Sequence, residues 1–156
     1  MPVYRKFRAM QRLCLTLFML LLAACQSTRP PQPLERMNDV AFYALSLADT
    51  PYRYGGNKDG FDCSGFVQHV FLSTLGVKLP RTSAEMSRVG DPADQLQPGD
   101  LVFFNTGSQP YSHVGIYLGE QHFVHAPSSG KSIMVTNMFE PYWQSRYNGA
   151  RRVTVP

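Results

Sequence analysis

Between Leu34 and Ala48 the apolar residues Leu34, Met37, Ala41, Ala44, Leu45 and Ala48 recur at helical spacing, which predicts an amphipathic helix. Asp49-Thr50-Pro51 ends it, and the stretch from Tyr52 to Gly60 is glycine-rich and turn-prone. A second helix is expected to start at Cys63, with Asp62 as N-cap, Phe66, Val67, Val70 and Phe71 as its buried face, and Gly76 as its stop. A short third helix is expected over Ser83–Val89. The second half changes character: Leu101–Phe104, His113–Leu118, His122–His125, Ser132–Val135 and Ala150–Val155 are short strand-like runs separated by Gly, Pro and Ser. Within His113–Leu118 the period is two, with Val114, Ile116 and Leu118 on one face and His113, Gly115 and Tyr117 on the other. An apolar face beside a His-Gly-Tyr face suits a strand whose second side lines a cleft. Helices first and strands afterwards give an α+β domain, with N-terminal helices packed on a mostly antiparallel β-sheet.

The N-terminus follows a different pattern. Arg5, Lys6, Arg8 and Arg12 precede the apolar run Leu13–Ala24, the layout of a secretory signal and too short for a transmembrane span. Leu22-Ala23-Ala24-Cys25 resembles a bacterial lipobox, in which the cysteine becomes lipid-modified. The expected organisation is a lipoprotein signal peptide over 1–24, a lipidated Cys25 with a Pro-rich linker over 25–33, and one domain over 34–156. The linker, if extended, reaches about 25 Å from the membrane. By resemblance to enterobacterial lipoprotein sorting, Gln26 implies a periplasmic, outer-membrane location. Removal of the signal also changes the charge balance. All eleven acidic residues follow Cys25, whereas four of the fifteen Lys and Arg precede it, so the processed chain is formally neutral. The basic isoelectric point therefore gives no support to nucleic-acid binding.

Processing leaves one free thiol. Cys14 lies in the signal and Cys25 at the lipid site, so Cys63 alone would enter an oxidising compartment unpaired, where spare thiols invite unwanted disulfides. A buried structural cysteine is the plain alternative. On the first turn of a helix, the dipole and unpaired N–H groups favour the thiolate, and the Cys63 N–H is a natural oxyanion donor. Gly65 leaves the adjacent backbone open to close approach. His113 and His125 lie on consecutive strand-like runs joined across Gly119-Glu120, so a hairpin could bring the imidazoles together. His122 competes with His125 for the second place, but its odd spacing from His125 points the two to opposite faces. His69, six residues after Cys63, is about 240° around the helix and cannot readily share its face.

These segments together resemble the NlpC family of bacterial cell-wall endopeptidases, papain-like cysteine peptidases often made as lipoproteins. The resemblance runs from about Val40 to Val153. It rests on Pro51-Tyr52-Arg53-Tyr54-Gly55-Gly56, Asp62-Cys63-Ser64-Gly65-Phe66-Val67-Gln68, Leu79-Pro80-Arg81-Thr82-Ser83, Pro98-Gly99-Asp100-Leu101-Val102-Phe103-Phe104, His113-Val114-Gly115-Ile116-Tyr117, Phe123-Val124-His125-Ala126, Pro141-Tyr142-Trp143 and Ala150-Arg151-Arg152. It implies the papain-like NlpC fold, with Cys63 as nucleophile, His113 as general base and His125 orienting that base. It further implies Tyr52 as an oxyanion donor beside the Cys63 N–H, with Tyr54 at the pattern's variable place. Asp62, Ser64 and Arg81 are candidate substrate-binding residues, although capping and packing explain the first two equally well and a surface ion pair the third. The implied substrate is the peptidoglycan stem peptide, cut between γ-linked D-glutamate and meso-diaminopimelate by a monomeric enzyme without cofactor or metal. The residues leave open an amidase or acyltransferase on the same scaffold, a non-catalytic wall-binding lipoprotein, zinc held by Cys63, His113 and His125, and a regulatory protein partner.

Overall fold

A computed structural model of the chain describes residues 33–56, 60–127 and 131–154; the expected signal peptide, Cys25 and all of the linker before Pro33 lie outside them. Helix α1 spans Pro33–Ser46, opening on a proline whose fixed φ suits a first helical turn. Its buried stripe is Met37, Val40, Ala41 and Ala44, the i, i+3, i+4, i+7 spacing of one helical face. Leu45, expected on that face, stands about 100° away and is exposed. Helix α2 spans Cys63–Leu75, bounded by the Asp62 cap and by Gly76 at φ 68°, a left-handed turn suited to glycine. Helix α3, Ser83–Met86, opens on a capping box between Thr82 and Glu85 and stops before the expected Val89, because residues 87–90 continue as turns.

The strands are β1 (Asp91–Pro92), β2 (Leu101–Phe104), β3 (His113–Gly119), β4 (His122–His125), β5 (Met134–Asn137) and β6 (Tyr147–Arg152), with a short helix α4 (Pro141–Gln144) before the last. They form one antiparallel sheet in the order β1-β6-β2-β3-β4-β5. Strand β5 begins two residues later than expected. Ile133 instead exchanges hydrogen bonds with Asp49 and Thr50, 2.9 and 2.8 Å, and Ser132 bridges Pro51, so this segment pairs with the loop after α1. Strand β6 starts earlier than expected, at Tyr147, which pairs with Phe104 across an irregular register.

Both faces of the sheet are covered. The helical side buries Val40, Phe66, Val70, Leu101, Phe103, Val114, Ile116 and Val124 in one core. Val102, Phe104, Phe123 and Met138 form a second core on the opposite side, closed by Leu96, Tyr117, Trp143 and Ala150. The His113–Gly115 side of β3 is thus covered by aromatic rings where an open cleft wall was expected, and His113 is only 4% exposed. The C-terminal strand is clipped to the centre by a fully buried Asp100, which accepts from Arg152 Nε at 2.8 Å, Arg152 Nη2 at 2.7 Å and the Gln97 amide at 2.8 Å. A buried carboxylate demands such compensation. Among the described residues no helix is long and apolar enough to cross a membrane.

Candidate active site

Cys63 is the first residue of α2 and is partly exposed. The amides of Val114, Ser64 and Cys63 itself all donate toward its sulfur. Val114 follows His113 on β3, so the start of this strand meets the positive end of the helix at the thiol. Those donors favour the thiolate, yet burial is the larger effect and the Asp62 carboxylate adds to it, so the thiol pKa is raised. This corrects the expectation of a depressed thiol: the helix end is present, but the sulfur sits in a poorly hydrated seat beside a carboxylate.

Asp62 holds the helix end in place. Oδ1 accepts from the Gly65 amide at 2.7 Å, Ser64 Oγ at 3.3 Å and Arg81 Nη1 at 3.1 Å. Oδ2 accepts from the Gly55 amide at 3.0 Å and is ion-paired to Arg81 Nη2. Burial pushes the Asp62 pKa up, but the bonds from Arg81, Gly65 and Gly55 outweigh it and hold the carboxyl below its ordinary range. Arg81 Nη1 also donates to Ser64 Oγ at 2.9 Å. Asp62 and Ser64 are therefore occupied by the protein itself, whereas the Arg81 side chain remains 44% exposed and bounds the site. A Cβ on Gly65 would lie 2.4 Å from the Gly56 carbonyl oxygen, which explains why glycine is needed in this first turn. Tyr52 is partly buried, its pKa raised by burial and by the nearby charges of Asp62 and Cys63, so its ring lies in the same neighbourhood. Tyr54 is 88% exposed.

The sheet supplies the imidazoles. His113 Nε2 and His125 Nδ1 are 2.8 Å apart, their rings nearly perpendicular at 88°. Gly115 makes this possible, since a Cβ there would meet Phe123 Cδ2 at 2.6 Å and the Val124 carbonyl oxygen at 2.9 Å. His125 Nε2 lies 3.0 Å from Thr136 Oγ1 on β5. Trp143 of α4 packs on both rings, with centroids 5.4 Å from His113 and 4.8 Å from His125. Burial lowers the His113 pKa to about 4 and that of His125 to about 2, the latter also through the neighbouring His113 and Lys131. Both rings are therefore neutral at neutral pH. His122 sits on the other side of its strand, opposite Asn137, and His69 pairs with the Tyr43 hydroxyl at 3.2 Å, so neither joins the pair.

Two members of this constellation escaped sequence reasoning. Thr136 lies one residue past the expected end of its strand. Trp143 carries no sequence signal for its place here, because a four-residue helix leaves no periodic pattern. As for metals, the nitrogens between His113 and His125 face each other and the remaining His125 nitrogen faces Thr136. Among the described residues no group of three His, Cys, Asp or Glu is arranged to hold an ion. The arrangement sets a thiol, with amides donating to its sulfur, at the start of the strand that carries a neutral imidazole bonded to a second one, residue types suited to nucleophile, base and orienting group.

Residues 49–152 match the NlpC/P60 family, and the chain belongs to that family. It is 41% identical over 154 residues to "Probable endopeptidase NlpC" of Escherichia coli K12, covering 91% of this chain and 99% of that protein. It is 49% identical over 105 residues to "Murein DD-endopeptidase MepS/Murein LD-carboxypeptidase" of the same organism, covering 65% of this chain and 55% of the relative. Among solved structures, an NlpC/P60 family protein from Bacillus cereus superposes with a TM-score of 0.71 at 33% identity, over 76% of this chain and 40% of that one.

Proposed function

We propose that this chain is a peptidoglycan endopeptidase that cuts stem peptides by a thiol mechanism, with the D-γ-glutamyl–meso-diaminopimelate bond as its target. The observation carrying the mechanism is the meeting of the Cys63 sulfur with the backbone beside His113, whose ring is bonded to His125. The wall substrate is supported by the murein relative. His113 takes the thiol proton on Nδ1, the nitrogen not engaged by His125, and the sulfur attacks the γ-glutamyl carbonyl carbon. The Cys63 N–H and Tyr52 hydroxyl hold the tetrahedral oxyanion. His113 then protonates the leaving amine, and water, deprotonated by His113, hydrolyses the thioester and regenerates the thiol. A raised thiol pKa and a lowered imidazole pKa make the resting pair neutral, so the proton moves as the substrate reacts.

The test is digestion of purified wall peptides by the wild-type protein and by Cys63→Ala, read by mass spectrometry. Loss of cleavage in the variant, and in alkylated protein, is expected; an alanine variant that still cuts would defeat the reading. The fragments identify the bond. A second bond is favoured by the DD-endopeptidase name of the 49%-identical relative, and release of cross-linked dimers into monomers would select it. Fragments lacking a new carboxyl group would instead indicate acyl transfer, and cleavage at the sugar–peptide amide an amidase.

The domain is further proposed to work from a lipid anchor on Cys25 at the periplasmic side of the outer membrane. Labelled palmitate incorporated by the wild type but not by Cys25→Ala, together with outer-membrane fractionation, supports this; a soluble periplasmic wild-type protein overturns it.

A further inference from the structure

We propose that Thr136 is a positioning residue that sets the proton arrangement of both imidazoles, making His113 a base at the nitrogen the reaction needs. This rests on the thiol mechanism above and adds a residue to it. His113, His125 and Thr136 form a buried chain from β3 through β4 to β5, with links of 2.8 and 3.0 Å. Thr136 is buried between Val135 and the partly buried Asn137, on a strand whose Met134 and Val135 are exposed. A threonine hydroxyl thus points inward from an otherwise open edge strand and meets a histidine nitrogen.

The proton count follows from one requirement. To accept the thiol proton at Nδ1, neutral His113 must carry its hydrogen on Nε2. That hydrogen points at His125 Nδ1, which must therefore be bare. Neutral His125 then carries its hydrogen on Nε2 and donates it to Thr136 Oγ1. The Thr136 hydroxyl can accept from Nε2–H or donate to a bare Nε2, and it is the acceptor that this arrangement requires: without it the Nε2–H of His125 would be buried unsatisfied, and the chain would turn to the opposite arrangement, which leaves only a bare nitrogen there. The alternative puts a hydrogen on His125 Nδ1 and forces His113 into the form protonated at Nδ1, which cannot take the thiol proton. With the His125 ring 1% exposed and packed against Trp143 and Phe123, water is poorly placed to substitute for the hydroxyl. The low pKa values of the two rings agree with neutral partners throughout.

Thr136→Val keeps the shape and removes the acceptor, and Thr136→Ser keeps the acceptor. The expected result is a fall in kcat of about 10- to 100-fold for Val, with KM within about twofold, and recovery of most activity in Ser. Nitrogen-15 NMR of the imidazoles, recorded in the catalytically silent Cys63→Ala background, should show both rings protonated at Nε2 with Thr136 present and a shift toward Nδ1–H in the Val variant. Unchanged tautomers and unchanged kcat in Thr136→Val would overturn the proposal, as would a Ser variant as impaired as Val. Because the spectra need no turnover, they judge the proton arrangement even if wall peptides prove to be cut by another route.

Discussion

The two walls of the site are built on opposite principles. On the helix side, the turn that carries Cys63 is fixed by a charged network: one carboxylate gathers two backbone amides, a hydroxyl and a guanidinium that stays 44% exposed. On the sheet side, the His113 imidazole is fixed by an uncharged chain sealed under Trp143. The contrast fits the role proposed for each wall. A helix end must hold a steady field, which ions at a wet rim supply cheaply because solvent shares the desolvation. A base must gain and lose a proton, and neutral neighbours in a dry setting keep it ready to accept one.

The largest effect is expected on the sheet side. His113→Asn should lower kcat/KM by about 10³- to 10⁴-fold while the domain still folds, its melting temperature modestly lowered at neutral pH because the packing on Trp143 and the bond to His125 are lost. A variant retaining more than a tenth of wild-type activity would take His113 out of the base role. Next in size, Gly65→Ala places a methyl 2.4 Å from the Gly56 carbonyl oxygen, so either the helix start or the Tyr52–Gly56 loop must shift. A stability loss of about 1–3 kcal/mol in denaturant titration is expected, with activity falling further than stability accounts for.

The pH dependence of stability separates the walls. His113 has a folded pKa of about 4 against 6.5 when unfolded, so the unfolded chain binds the extra proton first. Stability is full above pH 6.5 and falls as pH drops toward 4, at about 1.4 kcal/mol per pH unit for this group. His125 acts in the same direction and extends the loss to lower pH. Asp62, whose carboxyl is held below 3.8, adds its loss only below that value. Melting curves from pH 7 to pH 3 should show the first slope diminished in His113→Asn and intact in Arg81→Met. The smallest effect belongs to Arg81→Met itself. Half-exposed ion pairs contribute little, so a loss of at most about 1 kcal/mol is expected, and salt should erase much of it.

Much of this was legible in the chain. Asp62 before an apolar helix, Gly65 in its first turn and the parity separating His122 from His125 each follow from short-range rules, and the structure has all three. What stayed hidden depends on distant partners. The start of β5 was displaced by Ile133 pairing with Asp49 and Thr50, which no local pattern announces, and Thr136 was missed with it. Period two in β3 showed that one face was apolar but could not show that Trp143 and Phe104 would cover the other. The thiol pKa was misjudged for the same reason: a helix end is visible in sequence, whereas its burial is set by the whole fold.

The strand order has a consequence for biogenesis. A ribosome delivers a chain from its amino end, so Cys63, His113 and His125 all emerge before Tyr147–Arg152. Yet that late segment inserts between β1 and β2, and its Arg152 neutralises the sealed carboxylate of Asp100. A partly synthesised chain therefore holds these three side chains while lacking the strand that fills the middle of the sheet. The middle of the sheet is filled only once nearly the whole domain has been synthesised.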